Sequence, residues 1–308
     1  MVTIILCPGQ GAQKVGMGRD LAERFPAARE TFETVDDALG TPLSRLMWEG
    51  PESELTLTHN AQPAILAHSA AVLAAAAPRL GTVVLAAGHS LGEYSAYIAA
   101  GSLTVADAAR LVRRRGELML QAGTERPGAM SAILGLDTET VAAACAEASG
   151  ADGVAVAANL NAPDQTVISG DPSAVEAAGV NCRAAGARRV LPLKVSGAFH
   201  SPLMAPAVAG LREALESVPF AEPAFPVIAN ATAAPVGTAD EARALLVDQL
   251  TAPVRWVECM LTAARLHPEA RFLEAGPGNV LSGLLRRIVP EASGIALGTA
   301  DEVERFLV

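Results

Sequence analysis

The sequence predicts an α/β fold, a parallel sheet clothed by helices and interrupted near its middle by a smaller unit of order β-α-β-β-α-β. Three observations predict it. Short aliphatic runs with strand character alternate with long helical runs over both ends of the chain, the pattern of a parallel sheet with helices on its faces. Between Gly128 and Val195 that alternation gives way to two strands in direct succession. Of the 308 residues 51% are hydrophobic but only 4% aromatic, so a large core must be assembled from small aliphatic side chains with helices close to the sheet.

Taken in order, "TIILC" is a strand, followed by a helix from about Asp20 to Leu39 and a second, "NAQPAILAHSAAVLAAAA". "VVLAA" is the next strand, and helices flank Gly101. The middle unit then reads strand "AMSAILG", helix "TETVAAACAEA", strand "GVAVAANLN", strand "QTVISG", helix "PSAVEAAGVNCRAAG", strand "RRVLPLKV". A turn at Asn161-Ala-Pro-Asp164 joins its central strands, and the order is the ferredoxin-like one. Alternation resumes with a helix near Pro206–Glu216, strand "FPVIAN", helices around Ala239–Leu250 and Val254–Leu266, strand "ARFLEA" and helix "NVLSGLLRRI". The expected division is a large unit from 1–127 and 196–308, with 128–195 inserted.

A formal net charge of −10 argues against broad binding to nucleic acid or an anionic membrane, both of which need a basic surface. The longest uninterrupted apolar runs, such as "AAVLAAAA", fall short of the roughly 20 residues of a membrane span. The opening "MVTIILCPGQG" has no basic leader before its glycine turn, so a cytoplasmic protein is expected. Cys7, Cys145, Cys182 and Cys259 are scattered without metal-ligand spacing, so free thiols and no metal are expected.

"VVLAAGHSLGEYSAYIAA" places Gly-x-Ser-x-Gly between a strand and a helix. This is the nucleophile-elbow arrangement, in which a tight turn pushes the serine hydroxyl out at the carboxyl end of a strand. Ser90 is thereby placed to attack, with the Leu91 backbone N–H at a helix N-terminus available to a developing oxyanion. An activated serine needs a base. Among five histidines, His89 should point away along the strand into a hydrogen-bonding role, while His59 in a polar loop and His68 on the Ala-rich helix read as structural. His267 caps a helix end. His200, at the end of the strand and turn "LKVSGAFH", is the candidate that remains.

The helix "VADAARLVRRRGELML" carries an apolar stripe at Ala108, Leu111, Val112, Leu118 and Met119. At about 100° per residue, Arg115 falls in the middle of that stripe. A buried guanidinium needs a partner, either an internal carboxylate or an anionic ligand; a ligand carboxylate would suit its planar fork.

"CPGQGAQKVGMG" invites a nucleotide-binding reading, which the spacing refuses. Lys14 stands where G-x-G-x-x-G needs its last glycine, and no G-x-x-x-x-G-K-[ST] is present. Together with "GHSLGEYSA", "RRRG", "NLNAPDQTVISG", "GAFHSPLM", "DQLTAPVRW" and "EAGPGNVLSGLL", the segment "PGQGAQ" resembles the malonyl-CoA:acyl carrier protein transacylase family, in the family's order from residue 8 to about 287. The resemblance implies an α/β-hydrolase-like large domain with a ferredoxin-like insertion. It implies Ser90 as acylated nucleophile, His200 as general base and acid, and Gln249 as the residue whose backbone carbonyl orients that histidine. Gln10 matches the oxyanion-hole glutamine, partnering Leu91, and Arg115 the arginine that holds the malonyl carboxylate. Asn159 and Asn161 lie in a matching block. Cys7 and Ala12 depart from the Phe and Ser common in the family, beside the oxyanion loop rather than in it.

The implied activity is ping-pong transfer of malonyl from malonyl-CoA to an acyl carrier protein, with no cofactor. Phe199 resembles the malonyl-type signature among polyketide acyltransferases, leaving little space for an α-methyl group, and Met119 joins it as a substrate-binding candidate. Arg113, Arg114, Arg188, Arg189 and Lys194 are candidate docking cations for an acidic carrier. A polyketide-pathway acyltransferase using another extender unit, or an acyl hydrolase, are the alternative readings.

Overall fold

The computed structural model describes residues 2–151 and 153–308; Met1 and Asp152, one in each expected unit, lie outside the described residues. The strands are β1 Val2–Cys7, β2 Thr82–Gly88, β3 Ala129–Leu134, β4 Ala155–Ala162, β5 Gln165–Gly170, β6 Arg189–Pro192, β7 Val227–Ile228, β8 Pro235–Val236, β9 Arg271–Ala275 and β10 Gly294–Leu297. Six form one sheet in the order β10-β9-β1-β2-β7-β8. Its pairs are parallel except the last, β7 with β8. The other four form an antiparallel sheet, β4-β5-β3-β6.

Alternation along the central strands shows why the large sheet is covered on both faces. Ile5, Cys7 and Ala86 belong to one apolar cluster, while Ile4, Leu6, Leu85 and Ala87 belong to another. Successive side chains point to opposite faces, so a strand buried on both reads as a continuous apolar run. The first cluster is roofed by the helices Thr58–Ala76 and Val105–Glu125, the second by Trp256–Leu266 and Val280–Ile288. A third, smaller core fills the space between the four-stranded sheet and its helices Thr138–Ala148 and Pro172–Ala184.

The stretch Thr58–Arg79, 22 residues with mean hydropathy 1.2, is long and apolar enough by composition to cross a bilayer, but 83% of its most apolar window is buried inside the protein. It is a core helix. Its neighbour Val105–Glu125 approaches it closely at a glycine: a Cβ on Gly116 would lie 2.6 Å from the Cα of His59. β4 is tied to the segment leading into the helix Trp256–Leu266, where Leu160 N–H donates to the Val254 carbonyl (2.9 Å) and Val254 N–H to the Ala158 carbonyl (2.8 Å).

Several expectations need correction. The helix expected over Asp20–Leu39 is two, Arg19–Arg24 and Pro26–Leu39, because Pro26 lacks the N–H that would continue the first and instead opens the second. "FPVIAN" pairs only over Val227–Ile228. His59 sits in the first turn of Thr58–Ala76, not in a loop. The helices Leu43–Glu49, Glu52–Leu55 and Ala300–Leu307 and the strands β8 and β10 were not expected. All four cysteines are free and buried.

Candidate active site

The corner between β2 and the helix Gly92–Ala99 places Ser90 at φ 52°, a left-handed conformation that costs a non-glycine residue about 1–3 kcal/mol. The flanking glycines serve another purpose. A Cβ on Gly88 would sit 1.9 Å from the Gly92 carbonyl carbon, and one on Gly92 would sit 2.1 Å from the Cys7 carbonyl oxygen. They let strand and helix backbones touch, and the strain falls on the serine itself.

Asn230 holds that strain in place. Its Oδ1 accepts the Ser90 N–H at 2.7 Å, its Nδ2 donates to the Gly88 carbonyl at 2.7 Å, and its own N–H donates to Glu93 Oε2 at 2.9 Å. Nothing in the sequence singled it out beyond an asparagine closing an apolar strand. Asn230→Ala leaves buried backbone groups unpaired, so a loss of about 1–3 kcal/mol in stability is expected. Denaturant unfolding measures it.

His200 is 4% exposed and also has a left-handed backbone, φ 56°. Its Nε2 lies 2.7 Å from Ser90 Oγ and its Nδ1 2.9 Å from the Gln249 carbonyl oxygen. A carbonyl only accepts, so Nδ1 carries the proton and Nε2 presents its lone pair to the serine hydroxyl. Gln249 closes the helix Ala239–Asp248; helix ends leave their last carbonyls without intrahelical donors, and this one serves the imidazole. Burial, reinforced by the Arg115 cation, pushes His200 down to about 3. It is therefore neutral, with the Nε2 lone pair facing Ser90 Oγ.

Arg115 is 1% exposed. Its Nη1 donates to Gln62 Oε1 at 2.6 Å, and its Nη2 to Gln249 Oε1 at 2.9 Å and Ser90 Oγ at 3.1 Å. No internal salt bridge satisfies it: among the described residues no carboxylate lies within 4.0 Å of the guanidinium, and Nε has no hydrogen-bond partner. Burial lowers its pKa, with Tyr94 and Glu93 opposing. A cation with spare donors thus points at the Ser90 hydroxyl. Gln62 lies inside the Ala-rich helix, and its signal in the sequence is a polar residue flanked by Ala61, Pro63 and Ala64.

These groups converge on a cavity of about 490 Å³ lined by Gln10, Leu91, Met119, Phe199, Asn159 and Lys194 as well as Ser90, His200 and Arg115. The backbone N–H groups of Gln10 and Leu91 have no acceptor among the described residues, while the Gln10 side chain accepts from Thr58 Oγ1 at 2.9 Å. Met119 and Phe199 are 2% and 7% exposed and form apolar wall. His89 takes the hydrogen-bonding role expected of it, at 2.8 Å from Asn161 Oδ1, although it also lines the cavity. Of the five candidate docking cations, Lys194 lines the cavity; Arg114 pairs with Glu117 and Arg188 with Asp164, Arg113 donates to Asn60, and Arg189 is exposed at the start of β6.

Residues 4–299 match the family described as acyl transferase domain. The malonyl CoA-acyl carrier protein transacylase of Bacillus subtilis is 42% identical over 299 residues, 97% of this chain and 94% of the relative. That of Escherichia coli K12 is 44% identical over 292 residues, 94% of each. Among solved structures, an acyl-carrier-protein-S-malonyltransferase from Bartonella henselae superposes with a TM-score of 0.94 at 42% identity, covering 100% of this chain and 98% of the other. A malonyl-transacylase in complex with a type II PKS acyl-carrier protein gives 0.95 at 42% identity, covering 100% and 99%.

Proposed function

This chain belongs to the acyl transferase domain family, and from that premise we propose that it moves a malonyl group from malonyl-CoA to the phosphopantetheine thiol of an acyl carrier protein through malonyl-Ser90. One observation carries the reading: Ser90 Oγ sits 2.7 Å from the base His200 and 3.1 Å from the guanidinium of Arg115. Nucleophile, base and carboxylate receptor share one point.

Ser90 Oγ attacks the thioester carbonyl while His200 Nε2 takes its proton, and the N–H groups of Gln10 and Leu91 receive the oxyanion. The C–S bond then breaks and His200 returns the proton to the departing CoA sulfur. The carrier's thiol enters, loses its proton to His200, and attacks malonyl-Ser90. Collapse of the second oxyanion breaks the ester, and Ser90 recovers the proton. Arg115 holds the malonyl carboxylate throughout, and Gln249 aligns the imidazole through its backbone, so a dyad suffices. Every catalytic group in this scheme comes from the chain, and no cofactor enters it.

The topology supports reading 1–127 and 196–308 as an α/β-hydrolase-like unit and 128–195 as a ferredoxin-like one, whose order β4-β5-β3-β6 is that of its motif. A cytoplasmic location accords with this role. Lys194, at the cavity and without an ion-pair partner among the described residues, is the favoured docking cation for an acidic carrier. Phe199 beside the base excludes an α-methyl substituent, a discrimination worth about 1–3 kcal/mol.

Malonyl-, methylmalonyl- and acetyl-CoA offered together with a holo acyl carrier protein test the proposal. Malonyl-carrier should dominate, with methylmalonyl down by about 10–200-fold, and malonyl-enzyme held in buffer alone should persist. Methylmalonyl-carrier as main product would favour another extender unit, and rapid loss of the adduct to water would identify a hydrolase.

A further inference from the structure

Among the described residues Arg115 has no carboxylate in contact, yet one acidic side chain is connected to it. Glu93, 0% exposed and three residues after the nucleophile, accepts from Gln249 Nε2 at 2.8 Å and from Asn230 N–H at 2.9 Å. The other end of the same Gln249 amide, Oε1, accepts from Arg115 Nη2 at 2.9 Å. The amide can stand only one way. Turned over, it would set its oxygen against a carboxylate and its NH₂ against a guanidinium.

We propose that Glu93 is the counter-ion of Arg115, relayed through the Gln249 side-chain amide, and a positioning residue that takes up a proton when the malonyl carboxylate engages the guanidinium. The proposal rests on the malonyl-transfer reading above. Holding the Gln249 amide also holds the residue whose backbone carbonyl sets His200, so Glu93 acts on the base through Gln249 and touches no substrate.

The charge follows from geometry. In the free site one cation and one anion balance across the amide. A malonyl carboxylate adds a second anion to a buried space with one guanidinium, and two carboxylates sharing one cation in such a place raise each other's affinity for protons. Glu93 is the one prepared to accept. Burial pushes its carboxyl up to about 7, against the pull of Asn230, Gln249 and Arg115, and its Oε1 has no partner among the described residues. The groups around it do not titrate alongside it. Tyr94 and Tyr97 on its own helix and Cys259 on Trp256–Leu266 are pushed upward by burial, and His200 beyond Gln249 is pushed down to about 3. Arg115 stays charged.

The sign is definite. Above about pH 7 the free enzyme lacks a proton that the malonyl complex holds, so malonyl affinity falls as pH rises; below it Glu93 is already neutral and the dependence vanishes.

The experiment measures KM for malonyl-CoA, and for acetyl-CoA as a comparator with the same CoA phosphates, from about pH 6 to about pH 9 in wild type, Glu93→Gln and Glu93→Ala. In wild type the malonyl-CoA KM should rise by up to about tenfold per pH unit on the alkaline side, and the acetyl-CoA KM should not. Glu93→Gln keeps an acceptor for Asn230 and Gln249 but removes the charge, so the malonyl-specific slope should flatten. Glu93→Ala removes both and should also lower kcat. A wild-type enzyme that malonylates Ser90 with no malonyl-specific slope overturns the proposal whatever the variants do, as does Glu93→Gln with the wild-type slope. A wild type that forms no malonyl adduct at any pH overturns the transfer reading itself, a distinct result.

Discussion

Ser90→Ala is expected to abolish the acyl-enzyme. Labelled malonyl-CoA should leave a stable adduct on wild type and none on the variant, and carrier malonylation should fall by about 10⁴–10⁶-fold, the scale on which loss of a nucleophile is felt when serine and histidine act as a unit. The expectation rests on one contact: Ser90 Oγ is the atom that His200 Nε2 faces at 2.7 Å. Stability should change little or rise slightly, since alanine in a left-handed turn is strained as the serine is and Asn230 binds the backbone N–H rather than the hydroxyl. Equal labelling of the two proteins would remove Ser90 from the reaction.

Arg115→Ala should lower kcat/KM for malonyl-CoA by about 10²–10³-fold, as expected for two hydrogen bonds from a charged donor at about 1.5–3 kcal/mol each, partly offset by relaxation. Acetyl transfer should fall far less, so the ratio of the two substrates moves toward acetyl. That ratio is the informative measurement, because the truncation also strands Gln62 Oε1 and Gln249 Oε1 and will cost some stability of its own. Arg115→Lys keeps a charge but not the planar fork and should fall between. An unchanged acyl preference would place the guanidinium outside the acyl pocket.

Much of this site was legible because its members announce themselves locally. Ser90 is marked by a strand before it and a helix after it, and Arg115 by the geometry of one helix, whose stripe buries it as expected. The supporting residues were not legible for the converse reason. Asn230, Glu93 and Gln62 act on partners 140, 156 and 53 residues away, and no spacing rule links such positions. The fold divides along the same line. Long periodic helices and aliphatic strands were found, whereas Leu43–Glu49 and Glu52–Leu55 are too short for periodicity to show. Pro26 breaks a helical pattern whose apolar spacing runs on across it. The helix Ala300–Leu307 does carry a local signal, the Thr299 and Glu302 capping box at its start.

The separation of 110 positions between Ser90 and His200 bears on how the protein comes into being. A ribosome delivers the serine first, then β3 to β6, and only afterwards the imidazole, with the carbonyl that orients it a further 49 residues behind. A growing polypeptide that has emerged only as far as β6 therefore owns an alcohol of ordinary reactivity. Chemical competence arrives late in synthesis, when the last third of the chain closes over what the first third left open.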